Sequence, residues 1–145
     1  MEYGWSIEES SWNKLEIFCD QHELNWKKKQ FDRIHSDEIP PNPGVYTICV
    51  TPPEDLPLGK DLYTPIYIGK AEVSLQRRFN EHLSYTNPEL RKARNIYVKG
   101  KNALIFQFTE LNKFYVPTLE SLLIECFGPT VNKVGGIATD DIYQE

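Results

Sequence analysis

The polar residues between 66 and 82 have types and spacings that suit phosphate chemistry. Tyr67 ends a short apolar run, Gly69 follows as an expected turn, and Arg78 and His82 come four residues apart on a predicted helix. Residues four apart share a helix face, so the guanidinium and the imidazole are expected side by side. An arginine can hold phosphate oxygens through two parallel hydrogen bonds, and a histidine exchanges protons near neutral pH. The stretch therefore predicts a compact polar cluster around a phosphate.

Three further residues are candidates for the same site, although each also has an ordinary structural explanation. Tyr46 lies on a predicted strand beside the one that carries Tyr67, where half-buried tyrosines are common. Glu120 lies in the first turn of a predicted helix, off its apolar stripe, where an acid also favours the helix dipole. Asn132 follows a Gly-Pro stop and fits a turn. The type of each residue alone therefore favours a structural role. Only the occurrence of all these polar residues together favours a catalytic site.

Alternating and helical periodicities define the elements that must position these side chains. The predicted strands are 44–50, 63–68 and 103–111. The predicted helices are 8–24, one with Leu75, Phe79 and Leu83 on its buried face, 88–95, and one that begins at Pro117 with Thr118 as its N-cap. We therefore expect an α+β fold, sandwich-like, in which a small three-stranded antiparallel sheet is flanked by helices.

The N-terminal part is expected to form a helical extension that packs on this core. Three lysines at 27–29 are typical of a basic surface turn, with contact to a phosphate backbone as the alternative. Residues 36–44 contain three prolines and predict an extended connector. The expected division is a helical extension over 1–40, the main domain over 41–133, with a long loop at 51–64, and a C-terminal tail over 134–145.

The charge distribution is uneven along the chain. Its 145 residues carry a net charge of −5, but 70–101 holds eight basic residues against three acidic ones, which is +5, so the remainder carries −10. Such a segment can focus an anion onto one face of an acidic protein, although charge alone favours a solvated helix face. The predicted nucleic-acid-binding residues are Lys70, Arg77, Arg91, Lys92, Arg94, Lys99 and Lys101.

The composition predicts a globular protein without a membrane-spanning helix, because no apolar run reaches 18 residues. The N-terminus lacks the pattern of a secretory signal. The chain has three cysteines, Cys19, Cys49 and Cys126, which lie far apart in the sequence. An odd number of widely spaced cysteines favours reduced thiols and a cytoplasmic location.

Taken in order, the polar residues and their neighbours resemble the motifs of the GIY-YIG nuclease family. The resemblance covers about residues 40 to 133. The matching segments are Pro43-Gly44-Val45-Tyr46, Tyr67-Ile68-Gly69-Lys70-Ala71, Leu75-x-x-Arg78-Phe79, Glu120, and Pro129 with Asn132. The long interval between the two tyrosine motifs is similar to that of the restriction-type members.

The resemblance implies a metal-dependent endonuclease that hydrolyses DNA phosphodiesters. Glu120 is then the sole protein ligand of one Mg²⁺ or Mn²⁺ ion, and Arg78 forks onto the phosphate oxygens. Tyr46, Tyr67 and His82 share the handling of the attacking water, and which of them is the base is left open. Lys70 is expected to supply a positive field to the tyrosine, and Asn132 is expected to anchor the site through backbone hydrogen bonds.

No second DNA-binding domain is recognised within the sequence, so a partner protein or a homodimer is expected to supply specificity. Two alternatives to the nuclease remain. One is a DNA-binding module that keeps the fold but turns over weakly, and the other is a protein-interaction module, which the acidic remainder of the chain favours.

Overall fold

In a computed structural model of the protein, the residues described are 9–50, 65–99 and 104–127. Their elements, in chain order, are α1 (Glu9–Gln21), β1 (Lys27–Gln30), a 3-10 helix (Arg33–Glu38), β2 (Gly44–Val50), β3 (Pro65–Ala71), α2 (Leu75–Leu83), α3 (Pro88–Lys99), β4 (Leu104–Glu110) and α4 (Val116–Phe127). Across these ranges, no helix has both the length and the apolar character needed to cross a membrane.

The strands form one antiparallel sheet in the order β1-β4-β2-β3. This confirms the α+β class, but the predicted count of three strands is wrong, because the lysines expected in a turn form β1. Pairing with β4 outweighs the low strand propensity of lysine, and lysines at a sheet edge also hinder pairing with other chains. Lys29 makes an ion pair of 2.7 Å with Glu38. The domain boundary at residue 40 stays a prediction, although β1 on its N-terminal side belongs to the same sheet.

Helices cover both faces of the sheet, and each face has its own apolar cluster. On one face, called the tyrosine face below, Tyr46 and Phe106 pack with Leu75 and Phe79 of α2, and α3 adds to the same cluster. On the other, called the α4 face, Val45 of β2 packs among the apolar residues of α1 and α4. Because successive strand residues point to opposite faces, each strand contributes to both clusters.

Several predicted boundaries differ from those observed. β3 runs on through Gly69, the residue predicted to turn, because Tyr46 and Val45 pair with Gly69 and Lys70. Part of the connector predicted to be extended forms the 3-10 helix, capped by the Asp32 side chain. α3 is longer than predicted and ends at Lys99. α4 begins two residues before Thr118, so that residue is not its N-cap.

Candidate active site

Tyr46 lies at the centre of the tyrosine face, and Gly69 makes room for it. The Tyr46 side chain is fully buried, and its ring stacks on Phe106 with centroids 4.9 Å apart. A Cβ atom at position 69 would lie 2.4 Å from the Tyr46 phenol oxygen. Since real Cβ contacts are never so short, the phenol can occupy this position only over a glycine. Gly69 thus sets where the Tyr46 hydroxyl lies.

The Tyr46 hydroxyl is hydrogen-bonded to His82 of α2. The distance between Tyr46 Oη and His82 Nε2 is 2.6 Å, and the bond is buried. The Tyr67 ring lies against both, with centroids 6.2 Å from Tyr46 and 5.0 Å from His82. The sequence-predicted residues Tyr46, Tyr67 and His82 are therefore brought together in one cluster, called the tyrosine–histidine cluster below.

His82 is neutral at physiological pH. Burial first, and the nearby charge of Arg78 second, together lower the pKa of its imidazole to about 3. A neutral imidazole carries one donor and one acceptor nitrogen. In the tautomer with Nδ1 protonated, Nε2 accepts the Tyr46 O–H.

Arg78 and Arg77 face different ways, as the predicted helix requires. The Arg78 side chain is 15% exposed and that of Arg77 is 59% exposed. Both contact Glu81, with 2.8 Å from Arg78 Nη1 to Oε1 and 3.8 Å from Arg77 Nε to Oε2. The fixed guanidinium of Arg78 lies at the margin of the tyrosine–histidine cluster, where it influences the imidazole of His82.

Glu120 and Lys70 belong to the α4 face. Glu120 is carried by α4 and is only 7% exposed, so the expectation that it lies off the buried stripe is wrong. Lys70 pairs with Val45 in the sheet, which places its side chain on the face opposite the Tyr46 ring. It makes an ion pair of 3.3 Å with Glu72. The structure thus corrects the expectation that Lys70 lies beside Tyr46 and supplies a field to it.

Glu120 alone could supply the small number of protein ligands that Mg²⁺ usually has. The described part of the chain contains no group of three or more His, Cys, Asp or Glu placed to hold a metal ion. Mg²⁺ is commonly held by one or two carboxylates, with waters and substrate phosphates completing its octahedron. A single buried carboxylate on α4, which packs against the edge strand β3, is consistent with that donor set.

The predicted nucleic-acid-binding residues lie in different surroundings. Arg91 and Lys92 are exposed on α3, whereas Arg94 lies over the Tyr85 ring, with its guanidinium carbon 4.4 Å from the centroid. Lys101 and Asn132, the loop 51–64 and the tail 134–145 lie outside the described residues, as does the side chain of Lys99.

Glu81 is a feature of the site that the sequence interpretation missed. Its place three residues after Arg78 and four after Arg77 is the spacing at which opposite charges meet on a helix. That spacing is a usable signal, but it identifies an ion pair and does not say that Arg78 lies beside a buried histidine.

Comparisons of the chain with known protein families, with characterised proteins and with solved structures give no match.

Proposed function

We propose that the protein is a metal-dependent endonuclease that hydrolyses DNA phosphodiester bonds at a GIY-YIG-like site. The observation that carries the proposal is the buried 2.6 Å hydrogen bond between Tyr46 and His82, with Tyr67 against it and Arg78 at its margin. Buried hydrogen-bonded pairs of this kind also occur in ordinary cores. The added presence of an arginine suited to phosphate is what favours catalysis.

Arg78 receives the scissile phosphate in this proposal. It is the most exposed member of the group formed with Tyr46, Tyr67 and His82, so a phosphate approaching from solvent meets it first. Its ion pair with Glu81 runs from Nη1 and orients the planar guanidinium group. In this proposal the guanidinium donates to the non-bridging oxygens when the phosphate arrives.

Tyr46 orients the attacking water, and His82 fixes Tyr46. With Nε2 of His82 accepting the phenol proton, the Tyr46 oxygen accepts a hydrogen bond from the water. The water oxygen bonds to phosphorus, the bond from phosphorus to the 3′ oxygen breaks, and solvent protonates the leaving group. The water's proton passes to solvent, because burial, the larger cause of the low His82 pKa, and the Arg78 charge both oppose a proton on the imidazole.

Glu120 would hold Mg²⁺ or Mn²⁺ on the α4 face, so the proposal requires that this carboxylate and Arg78 reach one phosphate around the edge strand β3. When bound, such an ion supplies positive charge that stabilises the leaving 3′ oxygen and the phosphoryl oxygens. We also propose a cytoplasmic location, because the three cysteines, all within the described ranges, are buried thiols that form no disulfide. A partner protein or a second copy of the chain would supply DNA specificity.

The test is a cleavage assay with Mg²⁺ or Mn²⁺ on supercoiled plasmid, branched DNA and single strands. Glu120→Gln, which keeps the shape of a buried side chain, is expected to abolish cleavage and leave metal-free DNA affinity unchanged. Arg78→Ala should slow single-turnover cleavage at saturating DNA by about 10²- to 10³-fold, the usual effect of losing a donor to transition-state charge.

Arg77→Ala is the matched control, because Arg77 is the neighbouring arginine and faces solvent. It should mainly raise the apparent Kd, and Arg78→Lys should rescue poorly because an ammonium cannot make the forked contact. An active Arg78→Ala beside an inactive Arg77→Ala would overturn the assignment of the phosphate to Arg78. Full cleavage activity in Glu120→Gln would overturn the assignment of Glu120 as the metal ligand.

One observation favours a second candidate, a nucleic-acid-binding module that keeps the fold without turnover. Tyr46 and Tyr67 are 0% and 1% exposed, less than is usual for residues that act on an incoming water. DNA binding by the wild type that depends on salt, with no cleavage under any metal condition, would decide for the module.

A further inference from the structure

The turn between β4 and α4 presents two adjacent aromatic rings to solvent. Phe114 is 78% exposed, more than any other aromatic side chain in the described ranges, and Tyr115 is 46% exposed. A single exposed apolar residue needs no explanation, but neighbouring rings form a surface that water solvates poorly. Neither residue takes part in the tyrosine–histidine cluster, so a separate role has to account for them.

The turn is held in one conformation by its own hydrogen bonds. The backbone N–H of Phe114 donates to Asn112 Oδ1 at 3.0 Å, and that of Tyr115 donates to the Asn112 carbonyl oxygen at 2.9 Å. The Tyr115 ring also contacts His22 of α1, with centroids 4.5 Å apart, and His22 lies against Phe18 at 4.2 Å. Tyr115 is thus anchored to α1, while Phe114 projects from an ordered turn. A preorganised ring loses little entropy when a ligand binds.

We propose that Phe114 is a stacking platform for an unpaired nucleobase of single-stranded or locally unpaired DNA. Any base can stack on an aromatic ring, so such a platform binds strands without regard to sequence. Lys113 Nζ lies over one face of the Phe114 ring, 5.8 Å from its centre, so the base stacks on the other face. A nucleotide carries a flat base and a phosphate close together, and the ring and the ammonium provide one partner for each.

The position of Phe114 places this platform near the proposed metal carboxylate without making it part of that site. Phe114 precedes Glu120 by six residues, at the end of α4 where the helix begins. Four of the six steps lie within α4, with a rise of about 1.5 Å each, and the two before it add at most about 3.6 Å each, so the two backbone positions are on the order of 10 Å apart. The platform is nevertheless independent of the nuclease proposal, because a strand can bind at Phe114 whether or not Glu120 holds a metal ion.

The size of the exposed surface favours a base over a protein partner. A stable protein interface buries about 1,200 to 2,000 Å² in total, with some 20 to 30 residues from each side. The two adjacent rings, one of them half-covered by its contact with His22, offer a small part of that area. One base stacked on one ring needs no broader apolar surface, and the neighbouring lysine suits a phosphate better than an apolar partner.

The experiment measures binding of a fluorescently labelled single-stranded oligothymidine by anisotropy, in EDTA so that no cleavage can occur. Phe114→Ala should weaken binding by about 5-fold or more, the usual effect of losing one stacked base. Phe114→Trp should bind at least as tightly as the wild type, and Phe114→Leu should behave like the alanine variant, because leucine is apolar but cannot stack. Lys113→Ala should lower the log-log salt slope by about 0.7, whereas Phe114→Ala should leave that slope unchanged.

The matched control is Ile34→Ala, which removes another highly exposed apolar side chain, 84% exposed, from a different element. It should not change binding, and thermal unfolding should show that all these variants fold. Equal binding by wild type and Phe114→Ala, wild-type binding by Phe114→Leu, or no wild-type binding at all would overturn the proposal. A change from dimer to monomer on Phe114→Ala would also overturn it, in favour of self-association. Because metal is absent, none of these results depends on whether the protein cleaves DNA.

Discussion

Acid should destabilise the protein through His82, and the size of the effect follows from its burial. The imidazole has a folded-state pKa of about 3, against about 6.5 in an unfolded chain. Because the folded-state pKa is lowered, the unfolded chain binds the proton first as the pH falls. The stability contribution is therefore complete above the unfolded pKa and is lost as the pH falls from about 6.5 toward about 3.

The slope in this window is about 1.4 kcal/mol for each pH unit. From pH 7.5 to pH 4.5, His82 alone should lower the free energy of unfolding by about 2.5 kcal/mol. The imidazole is 8% exposed, so little solvent screening reduces this figure. With a urea m-value of about 1 to 3 kcal/mol/M, the unfolding midpoint should fall by about 0.8 to 2.5 M.

Urea unfolding of wild type and His82→Gln at both pH values is the assay. The absolute stability of the variant is also lower because its bond to Tyr46 changes, so the comparison is between the pH dependences. His82→Gln should lose most of the pH dependence of the free energy of unfolding. The pH dependence that is left comes from other titrating groups. Ser84→Ala, at the C-cap directly after the same helix and with no titrating group, should keep the wild-type slope. Parallel curves for wild type and His82→Gln would refute the buried neutral imidazole and with it the acceptor role of Nε2.

Three further predictions concern the site and the basic surface. Gly69→Ala should lower the free energy of unfolding, measured by urea unfolding, by about 1 to 3 kcal/mol, because its Cβ must displace a Tyr46 ring that is fixed by stacking and by a hydrogen bond. The control is Lys70→Ala, on the same strand but the other face. Equal losses of stability in the two variants would contradict the close contact between position 69 and the Tyr46 ring. Tyr46→Phe should cost about 1 to 3 kcal/mol, because it leaves buried His82 Nε2 without its phenol partner; the same assay measures it, and cleavage should fall as well. Replacing Arg91 and Lys92 by alanine should lower the log-log salt slope of duplex binding by about 2, and an unchanged slope would make them a solvated helix surface.

Periodicity determined much of the fold, because the relevant signals are local. The alternation over β2 and the buried spacing of Leu75 and Phe79 predict the strand and helix that are observed. The placing of Arg78 and His82 on one helix face, and of Arg77 toward solvent, also follows from a rotation of about 100° per residue. These features need no knowledge of distant residues.

Other features depended on pairing between distant parts of the chain. The lysines of β1 have little tendency to form a strand, and they do so because β4 offers an open edge. Gly69 has the composition of a turn but lies within β3, since Tyr46 across the sheet supplies its partner and occupies the space above it. Lys70 follows Gly69 in sequence, and the alternation of the strand turns it to the opposite face from the ring it was expected to influence.

The sequence determined by itself which side chains with phosphate chemistry the chain contains and how those on α2 are arranged, because a helix fixes the relation between residues four apart. Packing of distant segments is what joins Tyr46 and His82 by a hydrogen bond across 36 positions, keeps the imidazole neutral by burial, and buries Glu120 on α4. The physical reason is that hydrogen bonding between distant residues and the loss of solvation depend on which surfaces meet when the chain packs, and local spacing carries no information about that.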